Sequence, residues 1–86
     1  MLDEAAKRRE QQGLLALTPR ELDVLKLVAS GMTNAEAGRH LQLSVHAIKF
    51  HLAAIYRRLG VSNRTEAAVT YFRLSSGSQV VETGQG

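Results

Sequence analysis

Three imidazoles, at His40, His46 and His51, are the side chains in this sequence best suited to binding a metal or moving a proton. Paired ligands on one helix face stand at i and i+4, with a carboxylate behind them to orient the rings. The histidines do not keep that spacing, and no Asp or Glu occurs between Glu36 and Glu66. Nor does a nucleophile stand beside a base, or a carboxylate pair or glycine-rich phosphate loop occur. The residues therefore point away from an enzyme, a metal site or a bound cofactor. What the acid-free interval does hold is positive charge: Arg39, Lys49, Arg57, Arg58 and Arg64, in a chain of net charge +3. A one-sided basic stretch suits a polyanion, and charge alone suits a solvated helix face equally well.

Eighty-six residues allow one small domain. With no cysteine there is neither a disulfide nor a thiolate metal site, and the cytoplasm is the expected compartment. Leu2 to Gln12 is charged, and no apolar run approaches the roughly 18 residues of a membrane helix. Neither a signal peptide nor a membrane partner is expected.

The elements that must position the basic residues are helices with full punctuation. Thr18, Pro19 and Glu21 form a capping box with proline at the first helical position, and the helix that follows runs to about Ser30. Its buried stripe is Leu22, Leu25, Val28 and Ala29, and Gly31 stops it. Thr33 and Glu36 form a second box for a short helix in which Ala37 and Leu41 share a face. Only Gln42 and Leu43 separate that helix from Ser44, the next N-cap, so the chain must turn sharply. A longer helix spans Val45 to Leu59 with Ile48, Leu52, Ile55 and Leu59 on its inner stripe. After Gly60, Val61 returns to the core, Ser62 or Asn63 caps, and a last helix runs to about Leu74. At the ends, residues 1–14 read as a charged helix or linker closed by Gly13, and residues 75–86 as a tail rich in Ser, Gly and Gln. The expected fold is all-α: a compact four-helix bundle over 15–74 containing a helix-turn-helix, with a flexible N-terminal arm and a disordered C-terminal tail.

A short helix, a tight turn and a longer basic helix are what DNA-binding helix-turn-helix units are made of. At about 100° per residue, His46, Phe50, Ala53 and Arg57 cluster opposite the Ile48 stripe, with Lys49 on the flank. Lysine can donate to guanine in the major groove and apolar groups can touch the thymine methyl. Phe50 on this face implies a partner surface. Later positions suit phosphates better than bases, which assigns Arg57, Arg58 and Arg64 to the DNA backbone. Thr33, Asn34 and Ser44 sit at helix N-termini, where either a phosphate contact or simple capping fits. His51 reads as a polar contact at the DNA boundary or as a half-buried residue beside the core stripe.

Leu17-Thr18-Pro19-Arg20-Glu21, Ala29-Ser30-Gly31-Met32-Thr33-Asn34, Ile48-Lys49-Phe50-His51-Leu52 and Leu59-Gly60-Val61-Ser62-Asn63-Arg64-Thr65-Glu66-Ala67 occur in order and without gaps. Together they resemble the signature of LuxR/FixJ-type, NarL-like DNA-binding domains over about residues 15–74. The resemblance implies a four-helix output domain of a transcription regulator, downstream of a receiver or ligand-sensing domain as in response regulators. It places base contacts on Lys49 and Phe50, with His46 and Ala53 as variable partners, and a dimer contact on the last helix. There Thr65, Val69 and Phe72 share a side, while Ala67, Tyr71 and Leu74 share another. The sequence departs from the family pattern at Ala37 and Gly38, where a larger aliphatic residue and alanine are usual, and at Ala47, where threonine is common. These departures predict a less well packed short helix and one phosphate contact fewer. The expected partners are double-stranded DNA, a second copy of the chain on that DNA, and RNA polymerase. The rival expectation is a protein-interaction module that keeps the helices without DNA affinity.

Overall fold

The computed structural model describes residues 4–83 and contains five helices: α1 (Glu4–Leu15), α2 (Pro19–Ala29), α3 (Asn34–Leu41), α4 (Val45–Leu59) and α5 (Arg64–Thr83). Among the described residues there is no strand, as the helical periodicity requires. The expected starts hold to the residue. Thr18 and Thr33 each accept the N–H of the third helical residue, Glu21 and Glu36, whose carboxylates reach back to the cap N–H. Ser44 caps α4 by accepting from the Ala47 N–H at 3.0 Å. Of the two candidates before α5, Asn63 is the cap, because its Oδ1 accepts from the Glu66 N–H. The Glu66 carboxylate accepts from the N–H of Ser62 instead.

The core lies where α2, α4 and α5 cross, with α3 laid against α2 and α4. Leu25, Ile48 and Ile55 are fully buried, and Leu52, Leu59 and Ala67 close around them. On α2 the buried face is Glu21, Val24, Leu25 and Val28, whereas Leu22 and Ala29 are only partly covered. The stripe thus keeps Leu25 and Val28 of the expected one and takes in Val24 in place of Leu22 and Ala29.

Helix α1 is the fifth element, and it runs through Gly13 rather than stopping there. Gly13 is buried where α1 crosses the end of α4, and a Cβ built on it would stand 2.5 Å from the Arg58 carbonyl oxygen. The glycine is there for a close crossing, not for a turn. At the other end α5 continues past Leu74 to Thr83. Residues 1–3 of the expected arm and 84–86 of the expected tail lie outside the described residues.

Candidate nucleic-acid interface

The turn between α3 and α4 sets the direction of α4. Gln42 takes a left-handed conformation, φ 60°, and the Leu43 N–H donates to the Gly38 carbonyl at 2.7 Å, closing the end of α3. A side chain other than glycine at Gly38 would put its Cβ 2.5 Å from the Leu43 carbonyl oxygen. The glycine at this position thus serves a close approach of the turn to α3. Ala37 is fully buried, and Gly38 lets the turn fold directly onto the helix.

Helix α4 presents two opposed faces. Ile48, Leu52, Ala54, Ile55 and Leu59 point into the core. His46, Lys49, Phe50, Ala53 and Arg57 are all exposed, Phe50 at 73% of its full surface. No residue of α4 is acidic, and its last turn carries Arg57 and Arg58, where positive charge meets the negative end of the helix dipole. His51 is half-buried at the border of the two faces, its ring edge-on to Phe50 with centroids 6.1 Å apart. Ala47 is half-buried beside them.

Two of the expected phosphate-binding arginines make hydrogen bonds within the fold, Arg58 while exposed and Arg64 while half-buried. Arg58 Nη1 donates to Glu21 Oε1 at 2.9 Å and to the Ala16 carbonyl at 3.1 Å, tying α4 to the start of α2. Glu21 also accepts from the Thr18 N–H, so this buried carboxylate is satisfied from two sides. Arg64 donates to Asn34 Oδ1 at 2.8 Å and to the Met32 carbonyl, tying the start of α5 to the start of α3. Arg64 and Asn34, assigned separately to phosphates by position, are thus brought together as partners of each other. Neither pair has a local signal, since the residues stand 37 and 30 positions apart. Thr33 and Ser44 use their hydroxyl oxygens as caps, which leaves each hydroxyl proton available to an outside acceptor.

On α5, Thr65, Val69 and Phe72 are exposed on one side, Val69 and Phe72 at 51% and 49%. Ala67 and Thr70 face the core, and Tyr71 packs on it and meets the Phe72 ring edge-on. A shallow groove lined by Gly60, Val61, Thr65, Val69 and Arg73 runs beside the exposed side. Among the described residues there is no cluster of His, Asp and Glu able to hold a metal, and no helix long and apolar enough to cross a membrane.

Residues 15–71, more than half of the chain, match the family described as bacterial regulatory proteins, luxR family. Among individual proteins, the chain is 46% identical over 54 residues to the transcriptional regulatory protein LiaR of Bacillus subtilis, covering 63% of this chain and 26% of LiaR. It is 40% identical over 53 residues to the nitrate/nitrite response regulator protein NarL of Escherichia coli, covering 62% of this chain and 24% of NarL. A nitrate/nitrite response regulator protein homolog of Haemophilus influenzae is 33% identical over 66 residues, 77% of this chain and 32% of that protein. The chain thus spans about a quarter to a third of the length of these curated relatives. No solved structure matches it.

Proposed function

The chain belongs to the luxR family of bacterial regulatory proteins, and from that premise we propose that it binds double-stranded DNA in a sequence-specific manner as the output domain of a transcription regulator, with α4 in the major groove. The observation that carries this reading is the outer face of α4: exposed His46, Lys49, Phe50, Ala53 and Arg57 on a helix without an acidic residue. A helix of that diameter fits the major groove, and a face of that charge gains from counterion release on meeting phosphates. Base edges fall to His46, Lys49, Phe50 and Ala53, in the first part of the helix. Phosphates fall to Arg57, to the hydroxyls of Thr33 and Ser44 at their helix N-termini, and to His51 at the border. Arg58, Arg64 and Asn34 act one step back, Arg58 by tying α4 to α2, and Arg64 with Asn34 by tying α5 to α3. Two copies pair on DNA through Thr65, Val69 and Phe72, residues 15–74 being the unit that binds.

The test is enrichment of duplexes from a random pool, followed by titration of an enriched and a scrambled duplex at several salt concentrations. DNA binding requires that affinity for both fall linearly on a log–log plot as salt rises, and that the enriched duplex bind more tightly throughout. A chain that retains no duplex at low salt loses this reading in favour of a protein-interaction module.

A further inference from the structure

Two of the four side chains assigned above to base edges, Phe50 and Ala53, carry neither a hydrogen-bond donor nor an acceptor. Phe50 is the larger, with 73% of its surface open to solvent. It has a ring neighbour in His51, which meets it edge-on, centroids 6.1 Å apart and planes at 71°. That contact steadies the ring without covering it. One turn further along the same face stands Ala53, whose side chain is a single methyl, so the helix surface beside the ring is low and a groove floor can approach it closely.

On the floor of the major groove the base pairs differ in donors, in acceptors and in one apolar feature, the 5-methyl group of thymine. Donors and acceptors pressed against a phenyl ring lose water and gain no partner, which opposes binding. The methyl group alone gains, because ring and methyl leave water together. We infer that α4 recognises thymine through its 5-methyl group, with Phe50 as the specificity-determining residue and Ala53 leaving it room. This deepens the DNA-binding reading and rests on it.

Deoxyuridine differs from thymidine only by that methyl, so exchanging one for the other, position by position in an enriched duplex, isolates the contact. Burial of one such group corresponds to about a fourfold change in affinity. At one or two positions in each half-site the exchange is expected to weaken the parent chain about fourfold, and to leave the affinity of Phe50→Ala unaltered. Lys49→Ala is expected to bind more weakly overall yet to keep the deoxyuridine penalty. Phe50 lies on the surface, so an unchanged thermal melt should show that Phe50→Ala is folded. A parent chain indifferent to the exchange at every position overturns the inference and leaves DNA binding standing. So does a Phe50→Ala variant that keeps the penalty. If the pool yields no enriched duplex, DNA binding and this inference fall together.

Discussion

Arg57 and Arg58 follow one another at the end of α4, and 100° of helix rotation sends them to different work. Arg57 is exposed on the outer face, while Arg58 meets the buried carboxylate of Glu21 and the Ala16 carbonyl. Truncating Arg58 leaves Glu21 with its cap N–H and no cation, so Arg58→Ala should destabilise the chain by about 1 to 3 kcal/mol and lower DNA affinity mainly through loss of fold. Arg57→Ala should melt with the parent, weaken all duplexes about equally and flatten the log–log salt slope by roughly 1. A calorimetric melt of each variant beside the salt titration separates the two, and equal melting temperatures would remove Arg58 from its structural role. Lys49→Ala belongs to a third class: a loss on the order of 1 to 3 kcal/mol on the enriched duplex and a smaller ratio of enriched to scrambled affinity, with stability unchanged. An unaltered ratio would take Lys49 off the bases. The outward residues were legible in the sequence because helical period alone fixes them opposite the Ile48 stripe. Glu21 as the base of an ion pair was not, since its position marks it only as the third residue of a capping box and its partner lies 37 residues away.

At the level of elements the same division holds between local and distant causes. The starts of α2, α3 and α4 are written in a hydroxyl side chain followed by the residues whose N–H groups it caps, all within four positions, and the structure keeps each of them. The docking of α1 depends on a crossing with α4 that no local pattern encodes, so Gly13 reads as a helix stop although it serves as a contact. Two substitutions test this account. Gly13→Ala gains up to about 1 kcal/mol of helix propensity, but its methyl meets the Arg58 carbonyl and must push α1 away from α4, a strain of about 1 to 3 kcal/mol. A net loss of stability is expected, together with faster hydrogen exchange in α1. A rise in melting temperature would show that α1 is not held through this crossing. Ile48→Ala empties a fully buried site on α4 and should cost about 2 to 5 kcal/mol, enough to lower the melting temperature by on the order of 10 °C. A shift within about 3 °C of the parent would mean that the inner face of α4 has been assigned to the wrong side.

For the whole molecule, the proposed DNA binding raises the question of how one helix, α4, would gain enough affinity and selectivity for a regulatory site. The patch proposed to meet a second copy is small. Thr65, Val69 and Phe72 stand exposed together on α5, and the two apolar members are each about half covered already. Two half-covered side chains offer on the order of 200 Å² or less, against roughly 800 Å² per partner in a stable complex. Such a patch cannot hold a dimer in dilute solution, where lost translational and rotational freedom opposes it. On a duplex with two half-sites the balance would change under the proposed function, because the sites would hold two copies at an effective concentration that can reach millimolar, and a weak contact would then add to the affinity of both. The free chain is therefore expected to sediment as a monomer and to bind a two-half-site duplex cooperatively. Val69→Glu places a charge in the contact of each copy, facing its counterpart across a two-fold axis. Affinity for a duplex with a single half-site should stay within about twofold of the parent, and affinity for the double site should fall about tenfold or more as cooperativity is lost. The helical fold should survive, since Val69 contributes little to the core. Equal losses on single and double sites would take α5 out of the pairing, and a free chain already dimeric at micromolar concentration would mean that a larger surface than this patch joins the two copies.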